Sequence, residues 1–262
     1  MNDMTGYIFS EDNVMFYYFI QINIKILLVL MIFGFLMGRA RQSAWKNFSG
    51  KTGGYLLLDF FNLIGTPVHE LSHLFFALLF GYHIDKVCLY RRIKTAKKNG
   101  GTLRFVKMHY EGSGLLHSLR RDVGLFFIGV GPLLLPPVLL FLCGLLLPDS
   151  LQALPSAFRG GANSFFKALQ QLDSADIIIM FAYLYVIISV SMNMELSRQD
   201  LHMAAKGLLV LEVLFLLLSV LAFLAGWQLD TFIDFLFQWN LLISFVGIIC
   251  GLTFHLISLL SA

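Results

Sequence analysis

Residues Val123 to Leu147 read VGLFFIGVGPLLLPPVLLFLCGLLL, a stretch without one charged side chain. About 20 consecutive apolar residues cross a bilayer as a helix, since each adds about 1.5 Å against a hydrocarbon core of about 30 Å. A strand reading fails, because barrel strands alternate apolar and polar residues and an isolated strand in lipid leaves its backbone groups unpaired. Working outward, similar runs recur, and spans are expected at 14–38, 54–80, 123–147, 175–193, 207–227 and 232–260. The expected fold class is therefore an all-α polytopic membrane protein with about six transmembrane helices, forming a single transmembrane domain over residues 1–262. Composition agrees. Of 262 residues, 58% are hydrophobic and 13% charged, against about 45–50% and about 25% in a soluble domain. The 26 phenylalanines exclude a disordered chain, which is poor in aromatics.

Net charge is only +3, from 19 Lys plus Arg against 16 Asp plus Glu, so no nucleic-acid partner is expected and the bilayer is the expected surrounding. Cys88, Cys143 and Cys250 lie far apart, which suggests neither a disulfide framework nor a cysteine zinc cluster. The first fourteen residues carry Asp3, Glu11 and Asp12 and no Lys or Arg, so a cleaved secretory signal is not expected. Basic residues concentrate between Gly81 and Asp122: Lys86, Arg91, Arg92, Lys94, Lys97, Lys98, Arg104, Lys107, Arg120 and Arg121. With Arg198 and Lys206 they outnumber two to one the Arg39, Arg41, Lys46, Lys51, Arg159 and Lys167 of the other side. The positive-inside rule then puts both termini in the cytoplasm. Within the basic loop, Ile84 to Arg92 and Thr102 to Tyr110 are rich in β-branched and aromatic residues around an Asn99-Gly100-Gly101 turn signal. A small β-hairpin is expected on the cytoplasmic membrane surface, after the second helix. It is either a solvated loop near headgroups or a sheet edge that can pair with an extended peptide. Between Pro148 and Ser174, Phe158, Phe165, Phe166 and Leu169 are spaced for a short amphipathic helix on the opposite surface.

Chemistry concentrates in the second span, at Thr66-Pro67-Val68-His69-Glu70-Leu71-Ser72-His73. Residues four apart share a helix face, so His69 and His73 can direct imidazole nitrogens at one cation, and Glu70 projects close enough to take a proton from a water held there. Ionisable groups inside a membrane helix cost about 3 kcal/mol each on insertion scales, so three within five positions point to a site. A catalytic zinc site takes a third protein ligand; Asp176, Glu195, Asp200 and His202 are the candidates, with Asp200 preferred. The same residue also ends Ser197-Arg198-Gln199-Asp200, an N-capping pattern for the fifth span, and spacing alone does not choose between ligand and cap. Asn62 and Asn193 are candidates for substrate or transition-state contacts, or for bridging helices. Gly65, Pro67, Gly129, Gly131, Pro132, Pro136 and Pro137 read either as breaks that line a wet cavity or as ordinary kinks. His83, His109 and His117 read as surface residues, and Asp59 as a bridge from the motif helix to a neighbour.

His69-Glu70-Leu71-Ser72-His73 in a membrane helix, followed by Gly81-Tyr82-His83-Ile84-Asp85-Lys86-Val87 as a turn into a strand, resembles the site-2 protease family of intramembrane zinc metalloproteases. Gly131-Pro132 is similar to the glycine-proline of that family's next helix, and Asn193 with Asp200 falls where the family carries its third ligand. The flanks differ: Leu196-Ser197-Arg198-Gln199 and Leu201 surround Asp200 where the family commonly has Pro before and Gly after. The resemblance implies a catalytic core over about 54–207 with peripheral helices at about 14–38 and 207–260. It implies zinc on His69, His73 and Asp200, Glu70 as general base, and hydrolysis of a peptide bond in or near a transmembrane segment of a protein or peptide substrate. The site would open to the cytoplasm of a bacterial-type cell membrane. Two other classes compete: an inactive relative that binds membrane helices as a partner subunit, and a metal or ion transporter using His69, Glu70 and His73 with Asp59, Asp234 and His255.

Overall fold

The computed structural model describes residues 14–49, 54–93, 95 and 104–260. Helices α1 (Val14–Ile22) and α2 (Val29–Ser49) are joined without a break by a π-helical stretch, Asn23–Leu28. Then follow α3 (Gly54–Leu79), strands β1 (His83–Cys88) and β2 (Phe105–His109), and α4 (Leu115–Leu145). Three short helices, α5 (Asp149–Gln152), α6 (Leu154–Arg159) and α7 (Ala162–Gln170), lead to α8 (Ser174–Ser191), α9 (Arg198–Ala225) and α10 (Asp230–Leu260). Among the described residues four helical segments are long and apolar enough to cross a membrane: Phe16–Leu36, Leu115–Leu145, Ser174–Ser191 and Arg198–Ala225. Helices also occupy the other two expected ranges. In α3 the apolar run is interrupted by Asp59, Asn62, His69, Glu70 and His73.

Apolar side chains line both the inside and the outside. Leu209, Leu217, Leu221 and Leu224 of α9 are exposed, as expected of a helix wetted by acyl chains rather than water. Inside, α4 packs along α9 and α3, α3 along α8, and α10 along α2. Leu133, Val190, Met194 and Leu196 form one core cluster and Leu27, Phe126, Val130, Ala204 and Leu211 another. Helix α4 runs unbroken through Pro132, Pro136 and Pro137, and Gly129 and Gly131 are buried within it. Its glycines serve contact rather than opening. A Cβ on Gly129 would lie 2.5 Å from the Asp200 carbonyl oxygen of α9, so only glycine permits this crossing.

Both strands of the hairpin touch α3. Its strands are antiparallel, His83 opposite His109 and Cys88 opposite Phe105, with a bulge between Ile84 and Lys86. Both are shorter than expected; the Asn99-Gly100-Gly101 turn lies outside the described residues. Beyond β1 the chain runs back along α3 until Tyr90 Oη donates to Asp59 Oδ1 at 2.9 Å and the Ile93 amide to the same oxygen at 3.0 Å. Asp59 precedes Leu79 by twenty residues, about 30 Å of helix. The hairpin is therefore laid against the length of α3, and Arg91 and Arg92 belong with the Asp59 end, which narrows the charge bias. The physical reason is that a carboxylate on an apolar helix needs donors, and the hairpin brings two.

Residues 148–174 hold three short helices in place of one, with Phe158 against Phe165 and ring centroids 5.6 Å apart. Two polar residues of the first helical segment, Asn23 and Lys25, have partners. Asn23 Nδ2 donates to the Phe19 carbonyl within the π-helical turn, and Lys25 pairs with Asp234 of α10 at 2.5 Å.

Candidate metal centre

His69 and His73 stand one turn apart on α3, their Nε2 atoms 3.1 Å from each other. Each Nδ1 meets a backbone carbonyl at 2.7 Å, that of Asn193 for His69 and that of Ile128 for His73. A carbonyl only accepts, so both Nδ1 atoms carry a proton and both rings turn Nε2 into the same space. Buried at 2% and 5% exposure, the two facing Nε2 atoms need a proton or a cation between them. Carbonyl-oriented histidines of this kind are the usual outer shell of metal sites.

Both carbonyls are available for identifiable reasons. Ile128 lies four residues before Pro132, and proline has no N–H with which to continue the helical ladder. The Gly-Pro pair thus frees an acceptor for His73. Asn193 follows the end of α8, where carbonyls lack intrahelical partners. It is held against α3 because a Cβ on Gly65 would stand 2.0 Å from the Ser189 carbonyl oxygen, a contact only glycine allows. Ser189 Oγ accepts from the Gly65 amide at 2.9 Å and donates to the Phe61 carbonyl at 2.6 Å. It stands between two groups that would otherwise bond to each other one turn apart.

Asp200 closes the group. Its Oδ1 is 3.3 Å from His73 Nε2 and its Oδ2 3.8 Å from His69 Nε2. Donors about 2.0–2.1 Å from a tetrahedral ion such as zinc stand about 3.4 Å apart, and the separations of His73 Nε2 from His69 Nε2 and from Asp200 Oδ1, 3.1 and 3.3 Å, lie near that spacing. His69, His73 and Asp200 are all buried, and one ligand atom from each lies within 4.8 Å of the others. Ligand position and cap turn out to be compatible: Oδ2 accepts from the Ser197 amide at 2.7 Å, Ser197 Oγ accepts from the Asp200 amide, and the carboxylate still faces the imidazoles. A helix N-terminus holds the acid in place and the Gly129 crossing brings that terminus to α3.

Glu70 is 3% exposed, with Oε1 4.0 Å from His69 Nε2. Its partner is Arg104, immediately before β2, whose Nε lies 3.1 Å from the same oxygen. The guanidinium also donates from one terminal nitrogen to Asn193 Oδ1 at 3.2 Å, and the other stands 3.7 Å from Glu195 Oε1. Two carboxylates, Glu70 and Glu195, thus face one guanidinium. The cavity at this point measures about 240 Å³ and is lined by His69, Glu70, His73, Arg104, Val106 and Asp200 among others.

Of the other third-ligand candidates, Asp176 is half-buried in the first turn of α8, His202 is exposed on α9, and Glu195 faces Arg104. Asn62 and Asn193 are buried and outside the cavity lining. The Asn193 side chain is engaged with Thr66, Ser189 and Arg104. His83, His109 and His117 are exposed, and His109 bonds Asp85 and Glu111. Sequence reasoning missed the role of Arg104, which it counted only as loop charge, and the carbonyl that Pro132 frees. The second was open to inference from the missing proline N–H; the first had no local signal. Comparison of the chain with models of known families, with curated proteins and with solved structures finds no match.

Proposed function

We propose that the chain is an intramembrane zinc metalloprotease that hydrolyses a peptide bond in or near a transmembrane segment of a protein substrate. The observation that carries this reading is the convergence of His69, His73 and Asp200 beside the carboxylate of Glu70. The resemblance of His69 to His73 and of Gly131-Pro132 to the site-2 protease family supports it, and among the described residues Asp59, Asp234 and His255 form no second donor group that would continue an ion pathway. In this reading six helices cross the bilayer, with α3 and α10 added to the four apolar spans. Both termini and the cavity mouth face the cytoplasm, on the side where Lys86, Lys107, Arg120, Arg121 and Lys206 gather around the Leu79 end of α3.

His69 and His73 through Nε2, and Asp200 through a carboxylate oxygen, would hold the ion. A zinc ion so held would supply Lewis acidity for a carbonyl and lower the pKa of water from about 16 towards about 7. Glu70 accepts a proton from the attacking water as its oxygen bonds to the carbonyl carbon. It returns that proton to the leaving nitrogen as the C–N bond breaks. The Asn193 and Ile128 carbonyls keep both imidazoles in the tautomer that presents Nε2, and the buried setting strengthens each of these interactions.

The test uses purified full-length chain in detergent. Metal analysis should find one zinc per chain in the wild type and none in His69→Ala, His73→Ala or Asp200→Ala. The probe is a fluorophore–quencher peptide bearing one Leu- and Ala-rich hydrophobic segment with a central helix break. Glu70→Gln should keep the metal and lose cleavage of that peptide by at least about 10²-fold. Zinc without cleavage in the wild type would favour the inactive-relative reading, and retention of zinc by Asp200→Ala would overturn the ligand assignment.

A further inference from the structure

Arg104 is the point where the hairpin enters the site. Its Nε holds Glu70 Oε1 at 3.1 Å, one terminal nitrogen holds Asn193 Oδ1 at 3.2 Å, and the other faces Glu195 Oε1 at 3.7 Å. A planar fork offers these three partners donors in fixed directions, whereas the ammonium of lysine is a compact charge with three rotatable donors and does not reproduce that spread. The Arg104 side chain is 15% exposed and that of Glu70 5%, so the pair has given up most of its hydration. A buried ion pair is a poor way to gain stability, because desolvation offsets most of the attraction.

Nor does the hairpin depend on Arg104 for attachment. It is already tied at its far end by Tyr90 and Ile93 to Asp59. At its near end the Tyr82 hydroxyl, just before β1, donates to the Arg121 carbonyl at 2.6 Å. What does need help is Glu70. A general base must come within about 2.6–3.2 Å of the proton it takes, and a glutamate has several side-chain torsions with which to miss. Asn193 adds a link: its backbone oxygen orients His69 while its side-chain oxygen receives Arg104. Base and metal ligand are thereby referred to the same residue.

From this we infer that Arg104 is the positioning residue for Glu70, and that through it the hairpin is a working part of the centre rather than a cover. The inference rests on Glu70 being the base of the proposed hydrolysis. Arg104 acts through the carboxylate it holds, with Glu195 as its counter-anchor.

The experiment compares Arg104→Ala, Arg104→Lys, Glu195→Gln and Tyr90→Phe in the full-length protein, with the same hydrophobic peptide as probe. Arg104→Ala should retain one metal per chain and lower kcat by about 10²-fold with little change in KM, the signature of a misplaced group rather than lost binding. Arg104→Lys should recover part of that loss. Glu195→Gln should lower kcat by less, and combined with Arg104→Ala should add nothing, since the two act as one unit. Tyr90→Phe, which loosens only the far anchor, should leave kcat unchanged. A readout independent of turnover is the infrared carboxylate band that disappears in Glu70→Gln. In metal-stripped protein that band should move in Arg104→Ala and stay in Tyr90→Phe. An unshifted band, a wild-type kcat in metal-loaded Arg104→Ala, or an equal loss in Tyr90→Phe would each overturn the inference. If the wild type binds no metal or cleaves nothing, it is the protease reading that fails, and the infrared comparison still decides whether Arg104 sets the Glu70 carboxylate.

Discussion

Lys25 and Asp234 pair at 2.5 Å between the first helical segment and α10, with side chains 26% and 51% exposed. His69, Glu70, His73 and Asp200 are each 5% exposed or less. Both groups place ionisable side chains inside apolar helices, yet they are built differently. The peripheral pair is two opposite charges that cancel, with Phe237 against the lysine and nothing aimed at a third atom. In the central group two rings are fixed from behind by backbone carbonyls and turned towards one another, an arrangement that leaves a requirement for something positive. Neutralising a charge in a membrane takes one partner. Making a site takes outer-shell groups that prevent the members from satisfying each other.

Breaking that distinction at its centre has the largest expected effect. Gly129→Val places side-chain atoms where the Asp200 carbonyl and the Ala204 amide now sit, at 2.5 and 2.6 Å from a Cβ, so α9 must move and carry Asp200 off the imidazoles. Metal content should fall from one per chain to near zero while helicity by circular dichroism is retained. Full metal occupancy in this variant would show that Asp200 is not needed.

Pro132→Ala sharpens the comparison with a change of opposite sign in two measurements. It restores an N–H that can take the Ile128 carbonyl back into the α4 ladder, in competition with His73. Metal affinity should drop by about 10–100-fold, the usual effect of losing an outer-shell partner. Thermal stability of the metal-free protein should hold or rise, since proline is worth about 3 kcal/mol less than alanine inside a helix. Unchanged affinity by competition with a chelator would remove Pro132 from the account of the site. The smallest effect is expected at the periphery. A double-mutant cycle with Lys25→Met and Asp234→Leu should give a coupling of about 0.6 kcal/mol or less, discounted for partial exposure, and leave metal content untouched.

How far the sequence could be read depends on how local each cause is. Helices fill every expected range because the signal, a long apolar run, lies within the segment itself. His69 and His73 were legible for the same reason, as their common face follows from helical periodicity alone. Asp200 was half legible: its capping box is local, whereas its approach to His73 depends on Gly129 in another helix. The hairpin's two strands were legible from their residues, but not the tie of the following segment to α3, because its partner, Asp59, sits 31 positions before Tyr90 and its need for donors is felt only once α3 is packed. Arg104 and Ser189 were not legible as parts of the site at all.

By itself, then, the chain's order of residues determined that it is helical, that it is apolar enough for lipid, and that two imidazoles and a carboxylate share one turn of α3. These follow from composition and a 3.6-residue period, which need no knowledge of neighbours. Only the tertiary structure decided what those side chains face. The reason is that orientation comes from acceptors and close crossings contributed by α4, α8, α9 and the hairpin, and contacts between segments so far apart in the chain exist only when the helices are packed.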